Sequence, residues 1–139
     1  MKLVLDTDVV VAAFRSPTGA SAELLRLAQL GNVSIVVSVA LMLEYETVMT
    51  RHEHLRAAQQ TQADAMALLD TIALIAEKVK IAYIWRPQTR DPGDEMVLEA
   101  AINAKADALV TFNRRDFGSA PARFGIGCFL PFEALEKMR

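Results

Sequence analysis

Short runs of aliphatic and β-branched residues at 2–6 and 33–37, each followed by a segment of helical period, constrain this chain more than any other feature. Strand and helix alternate, and a βαβα series builds a parallel sheet. Further runs at 108–111 and 126–130 extend the same sheet. The fold class expected is α/β, on a short, mainly parallel sheet.

The first run carries a chemical signal as well. In MKLVLDTDVVVAAF, Leu3, Val4 and Leu5 lead straight into Asp6 and Asp8, and the apolar pattern resumes from Val9 to Phe14 as a buried turn. In open α/β sheets ligands bind in the crevice at the carboxyl ends of the strands, where Asp6 falls if residues 2–6 form a central strand. Three readings fit. The acids hold a divalent metal for phosphodiester hydrolysis; or Asp6 is a nucleophile, since DTDVV also fits the DxDx(T/V) signature of haloacid dehalogenase-type phosphatases; or the pair caps a strand-to-helix turn.

Composition narrows the field. A chain of 139 residues suits one domain, 1–139, and 53% hydrophobic residues against 23% charged ones exclude general disorder. No uncharged run reaches the roughly 18 residues of a membrane span, so no membrane partner is expected. Met1 and Lys2 run directly into a strand without a signal-peptide pattern, so the expected address is cytoplasmic. The single Cys128 excludes an internal disulfide and reads as a buried small hydrophobe. With a formal net charge of −2 there is no overall basic footprint, so a nucleic-acid substrate would need local attraction, for which bound metal is one source.

Along the chain, Ser16-Pro17-Thr18-Gly19 is a turn, Ser21 is the expected N-cap of a helix ending at Gly31, and Ser38 caps a helix running to about Arg51. Leu41 and Val48 put Glu44 on the apolar stripe of that helix, whereas Glu46 turns away. His52 and His54 read as part of a charged connection. Residues 55–76 have helical spacing with a break near Thr61, residues 79–85 are a short edge strand or irregular, and Arg86-Pro87 to Asp91-Pro92-Gly93 is a loop. From Asp94 a helix presents Val97, Leu98, Ala101 and Ile102 on one face, with Glu95 and Glu99 expected to face away. Asp94 and Asp91 each have an ordinary use, as a helix cap and as a turn residue. The run at 108–111 ends in TFNRRDF, a second polar cluster at a strand end, and residues 132–139 form a terminal helix.

Pattern therefore places Asp6, Glu44, Asp94 and Asp116 inward or at strand ends, with Asp8 and Asp91 beside them. Carboxylates so gathered repel one another and raise each other's pKa unless a cation lies between them. Mg²⁺ or Mn²⁺ suits such hard oxygen donors.

At this point the chain resembles the PIN-domain nucleases, above all the toxins of bacterial VapC-like toxin–antitoxin pairs. The pieces that match are LVLDTDVVVAAF, VSVALMLEYETVM around Glu44, RDPGDEMVLEAAINAKADALVT around Asp94, and TFNRRDFG around Asp116, in the family's order and spacing. The resemblance implies a PIN-like fold, a three-layer α/β/α sandwich on the parallel sheet, with Mg²⁺- or Mn²⁺-dependent cleavage of RNA, a homodimer, and a small antitoxin protein as partner. It maps catalytic and metal-binding roles onto Asp6, Glu44, Asp94 and Asp116, with Thr111 and Asn113 in support; Asp8 and Asp91 are added as supporting neighbours from their position beside these acids. Arg114 or Arg115 would contact substrate phosphates. Two positions depart from the pattern: Asp8 stands where the family usually has Asn, and Phe112 where it often has a small or polar residue.

Two other functions remain open from the sequence. In the phosphatase reading Asp6 would be phosphorylated, Asp8 would be the general acid and Ser38 a second motif. In the other, a PIN-like chain without catalysis would act as a binding module.

Overall fold

The computed structural model of the chain describes residues 1–83, 88, 89 and 91–138. The elements in chain order are β1 (Lys2–Leu5), α1 (Thr7–Arg15), α2 (Ala20–Gln29), β2 (Ser34–Val37), α3 (Val39–Met49), α4 (His52–Ala58) and α5 (Gln62–Ile75). They continue with β3 (Glu77–Lys78), α6 (Pro92–Ala104), β4 (Ala108–Val110), α7 (Arg114–Phe117), α8 (Ala120–Arg123), β5 (Gly127–Phe129) and α9 (Pro131–Lys137).

The sheet runs in the order β3-β2-β1-β4-β5, and every pairing is parallel. The connections from β1 to β2 and from β2 to β3 step one way across it, and those to β4 and β5 step the other. With the right-handed crossovers that parallel strands adopt, helices cover both faces, which gives the expected α/β/α sandwich. Strands buried on both faces must be apolar throughout. Leu3, Val4, Leu5, Ile35, Val36, Val37, Leu109 and Val110 are accordingly all buried, the aliphatic side chains each contributing about 2 kcal/mol.

The direction of travel reverses between β1 and β4, and register fixes what meets there. Leu5 pairs with Val110, so the next residues, Asp6 and Thr111, leave the sheet side by side. The Asp6 amide still donates to Val110 O at 2.8 Å.

Several local expectations need correction. Val9 to Phe14 is not a turn but most of helix α1, because the Asp6 carboxylate takes the Thr7 amide while its carbonyl takes those of Val9 and Val10. Helix α2 starts a residue before Ser21, after Gly19 closes the turn onto Ser16 O, so Ser21 is buried in the first turn instead of capping it. His52 and His54 belong to the short helix α4, which Gln59 ends in the left-handed conformation (φ 54°) just before the expected break. Thr61 and Asp64 then form a reciprocal capping box for α5. The edge strand is β3, ahead of the expected 79–85; Ile84, Trp85, Arg86 and Pro87 lie outside the described residues. Cys128 is half-buried, and burial pushes its thiol up to about 11.

Glu95 and Glu99 are the largest correction, since both are buried. Helix α6 is covered on a second side by the chain before it. Glu95 Oε1 accepts from the amides of Gln88 (2.6 Å) and Thr89 (2.8 Å), and Asn103, two turns on, accepts from those of Ala82 and Tyr83 (2.9 Å each). Amides that lack sheet partners are satisfied by a polar stripe at helical spacing.

Candidate active site

Four elements deliver acids to the carboxyl edge of the sheet. Asp6 ends β1 and is 8% exposed. Its Oδ1 accepts from the Thr7 amide at 2.8 Å and its Oδ2 from the Thr111 hydroxyl at 2.7 Å. Burial, reinforced by the charges of Asp116 and Asp91, holds its carboxyl above the ordinary range despite those two bonds.

Asp94 lies in the first turn of α6, and it does not cap the helix. Asp91 does, accepting the Gly93 amide at 2.7 Å with Pro92 next in line. With the cap already supplied, Asp94 is left half-buried and free for other work. Burial and then the charges of Asp6, Asp91, Asp116 and Asp8 push it up to about 7. Asp116, exposed on the short helix α7, belongs to the same electrostatic group.

Glu44 reaches the group from α3. A methyl group placed at Gly93 would lie 3.7 Å from Glu44 Oε1 and 3.1 Å from Asp91 Oδ1. The glutamate carboxylate therefore sits against the amino end of α6. One position along α3, Tyr45 is fully buried and donates its hydroxyl to Leu5 O, the carbonyl next to Asp6. That tyrosine had no signal in the sequence beyond an aromatic residue beside an acid.

Asp8 plays a different part. Its Oδ2 accepts from the Phe112 amide (3.1 Å), Asn113 Nδ2 (3.0 Å) and, weakly, the Thr111 hydroxyl (3.5 Å). The Thr111 oxygen in turn accepts from the Asn113 amide at 2.9 Å. Asp8 thus ties the segment after β4 to the segment after β1. Burial and Asp6 push it up to about 6, and its Oδ1 is buried with no partner among the described residues.

Next to Asp91, Asp94 and Asp116 opens a cleft of about 1040 Å³, and Arg115 and Arg123 also line it. Arg115 is the cation expected there. Arg114 is not, because it pairs with Glu133 at 3.1 Å. Arg123, which also donates to Gln88 Oε1 at 3.0 Å, went unnoticed in the sequence, where it is one more charge beyond the last motif.

The donor set fits Mg²⁺ or Mn²⁺: hard carboxylate oxygens that burial first, and their neighbours' charges second, raise together at Asp6, Asp8 and Asp94. Among the described residues, no three His, Cys, Asp or Glu side chains form a ready-made metal cage. Mg²⁺ asks for none, since it keeps several waters and is held by one or two carboxylates together with substrate phosphates.

Comparison with known proteins bears on the family and the fold. A PIN domain profile matches residues 2–115, which takes in β1 to β4 but stops one residue short of Asp116. No curated protein matches the chain. Among solved structures, it is similar to a chain of VapBC2 from Rickettsia felis, determined bound to a DNA fragment from the promoter. The TM-score is 0.66 at 18% identity, over 92% of this chain and 97% of that one.

Proposed function

The chain belongs to the PIN domain family, whose members are generally nucleases, and from that premise we propose that it is a metal-dependent ribonuclease acting as the toxin of a toxin–antitoxin pair. The observation that carries the reading is the convergence of acids from β1, α3, α6 and α7 beside a cleft that also holds two arginines.

Asp6, Asp94 and Asp116 would hold Mg²⁺ or Mn²⁺, directly or through water, and Glu44 would either join them or serve the attacking water. The bound ion supplies charge stabilisation at phosphoryl oxygens and a lowered pKa for water. The chain's own groups do the remaining work. Thr111 and the Thr7 amide fix the Asp6 carboxylate in one orientation. Asp8 holds the segment carrying Asn113 and Asp116 against β1. Where it is not a ligand, Glu44 orients the attacking water and takes its proton as the oxygen closes on phosphorus in line. The P–O3′ bond breaks and the leaving 3′-oxygen takes a proton from water, which leaves a 5′-phosphate and a 3′-hydroxyl. Arg115 and Arg123 hold phosphates flanking the one attacked.

Features of the site weigh against the aspartyl-phosphatase reading. Both Asp6 oxygens accept hydrogen bonds and the side chain is nearly closed off, which suits a fixed ligand better than a nucleophile. Asp8 anchors a loop, and Lys105 caps the far end of α6.

The same reading carries a small antitoxin, a homodimer and a cytoplasmic address. Exposed Val39 and Leu43 flank an apolar groove between α3 and α5, which supports a protein partner. Among the described residues no helix is long and apolar enough to cross a membrane. Incubation of the purified protein with RNA, single-stranded DNA and a small phosphate ester, each with Mn²⁺ or EDTA, tests the activity. Metal-dependent cutting of RNA supports the reading, and hydrolysis of the small ester alone overturns it.

A further inference from the structure

A second cavity, of about 410 Å³, lies on the other side of Asp8, lined among others by Val11, Arg15, Val48, His54 and Phe112. Its walls are mainly apolar, yet Arg15 is exposed and His54 half-buried at it. Phe112 is 49% exposed. An aromatic ring left half in water beside a carboxylate cluster has no evident packing purpose. Its backbone amide donates to Asp8 Oδ2, and Thr111, just before it, bonds Asp6. The backbone that carries the ring is therefore held one residue from the site's own anchor.

An apolar pocket with one exposed aromatic face and a cation is the arrangement that single-stranded nucleic acid uses: a base stacks on the ring while the backbone phosphate meets the cation. The net charge of −2 makes such local features necessary for a polyanion to stay bound. We propose that this cavity is a nucleotide subsite, in which a base neighbouring the scissile phosphate stacks on Phe112 while Arg15 contacts the backbone phosphate. The inference rests on the ribonuclease reading for the cleft, and it adds the residue that seats the unpaired strand. His54 closes the apolar wall beneath the base. The motif segment TFNRRD then has two uses: Thr111, Asn113 and Asp116 serve the carboxylate cluster, and Phe112 serves the base.

Fluorescence anisotropy of a short labelled RNA with cleavage-resistant phosphorothioate linkages, in Mg²⁺, tests the subsite, while cutting of ordinary RNA is followed in parallel. Phe112→Ala should weaken binding about tenfold, Phe112→Trp should restore it, and Arg15→Ala should weaken it and flatten its salt dependence. Because Phe112 is half-exposed and its amide bond to Asp8 survives in the alanine variant, thermal unfolding should be unchanged. Equal binding by the wild type and Phe112→Ala, or no binding of single-stranded RNA by the wild type, overturns the subsite whatever the cutting assay gives. If the Phe112 dependence holds and no RNA is cut, the subsite stands and the ribonuclease reading falls.

Discussion

The Thr111 hydroxyl donates to Asp6 Oδ2 at 2.7 Å, across 105 residues of chain and across the line where the strand order reverses. The bond joins the ends of two adjacent parallel strands and fixes the most buried acid of the site. Thr111→Val keeps the shape and removes the donor. A hydrogen bond to a buried charged group contributes about 2 kcal/mol, so the midpoint of denaturant unfolding should fall accordingly. Cleavage should drop by at least about tenfold, because the Asp6 carboxylate loses its orientation and its proton is held more tightly.

Metal-free protein should be less stable at pH 8 than at pH 5. Asp94 is raised to about 7 and Asp8 to about 6, so both bind protons more tightly folded than unfolded. The stabilising contribution is complete below the unfolded value of about 4 and is lost as pH rises through 6 and 7. Melting temperature measured against pH in EDTA should show this decline. In Asp94→Asn the curve should flatten and the value at pH 8 should rise.

Divalent metal should reverse that loss. An ion bound only by the folded state stabilises by about 2.7 kcal/mol at a hundredfold excess over its dissociation constant. Mn²⁺ added at pH 8 should raise the melting temperature of the wild type and have little effect on Asp6→Asn or Asp94→Asn. Equal shifts in all three would place the ion elsewhere.

Much of this was legible in advance, for reasons that differ from residue to residue. Asp6 stands out as a carboxylate directly after a buried strand run, and its cap of α1 is one of the three uses the sequence allows, while Ser38 caps α3 as its place before a helical pattern requires. Glu95 and Glu99 were misread because helical period finds one apolar face and has no means of finding a second face covered by chain whose amides need acceptors. The same limit hid Arg123, which reaches the cleft only through the turns after β4. The cap question at Asp94 had two answers in sequence, and only the Asp91 bond to Gly93 decides it.

Tyr45→Phe isolates support from chemistry. The hydroxyl is buried and serves the Leu5 carbonyl, so its loss should cost about 1–2 kcal/mol in urea unfolding, with that carbonyl left without its partner. Cleavage should fall less than in Thr111→Val, since Tyr45 touches the strand backbone and not an acid of the site.

The most direct test measures RNA cleavage in Mn²⁺ by Asp6→Asn, Glu44→Gln, Asp94→Asn and Asp116→Asn, beside Asp70→Asn as an exposed acid remote from the cleft. A shared site predicts that each of the first four loses at least about a hundredfold in rate while Asp70→Asn matches the wild type. Wild-type rates in any two of the four would contradict a centre assembled from four separate elements.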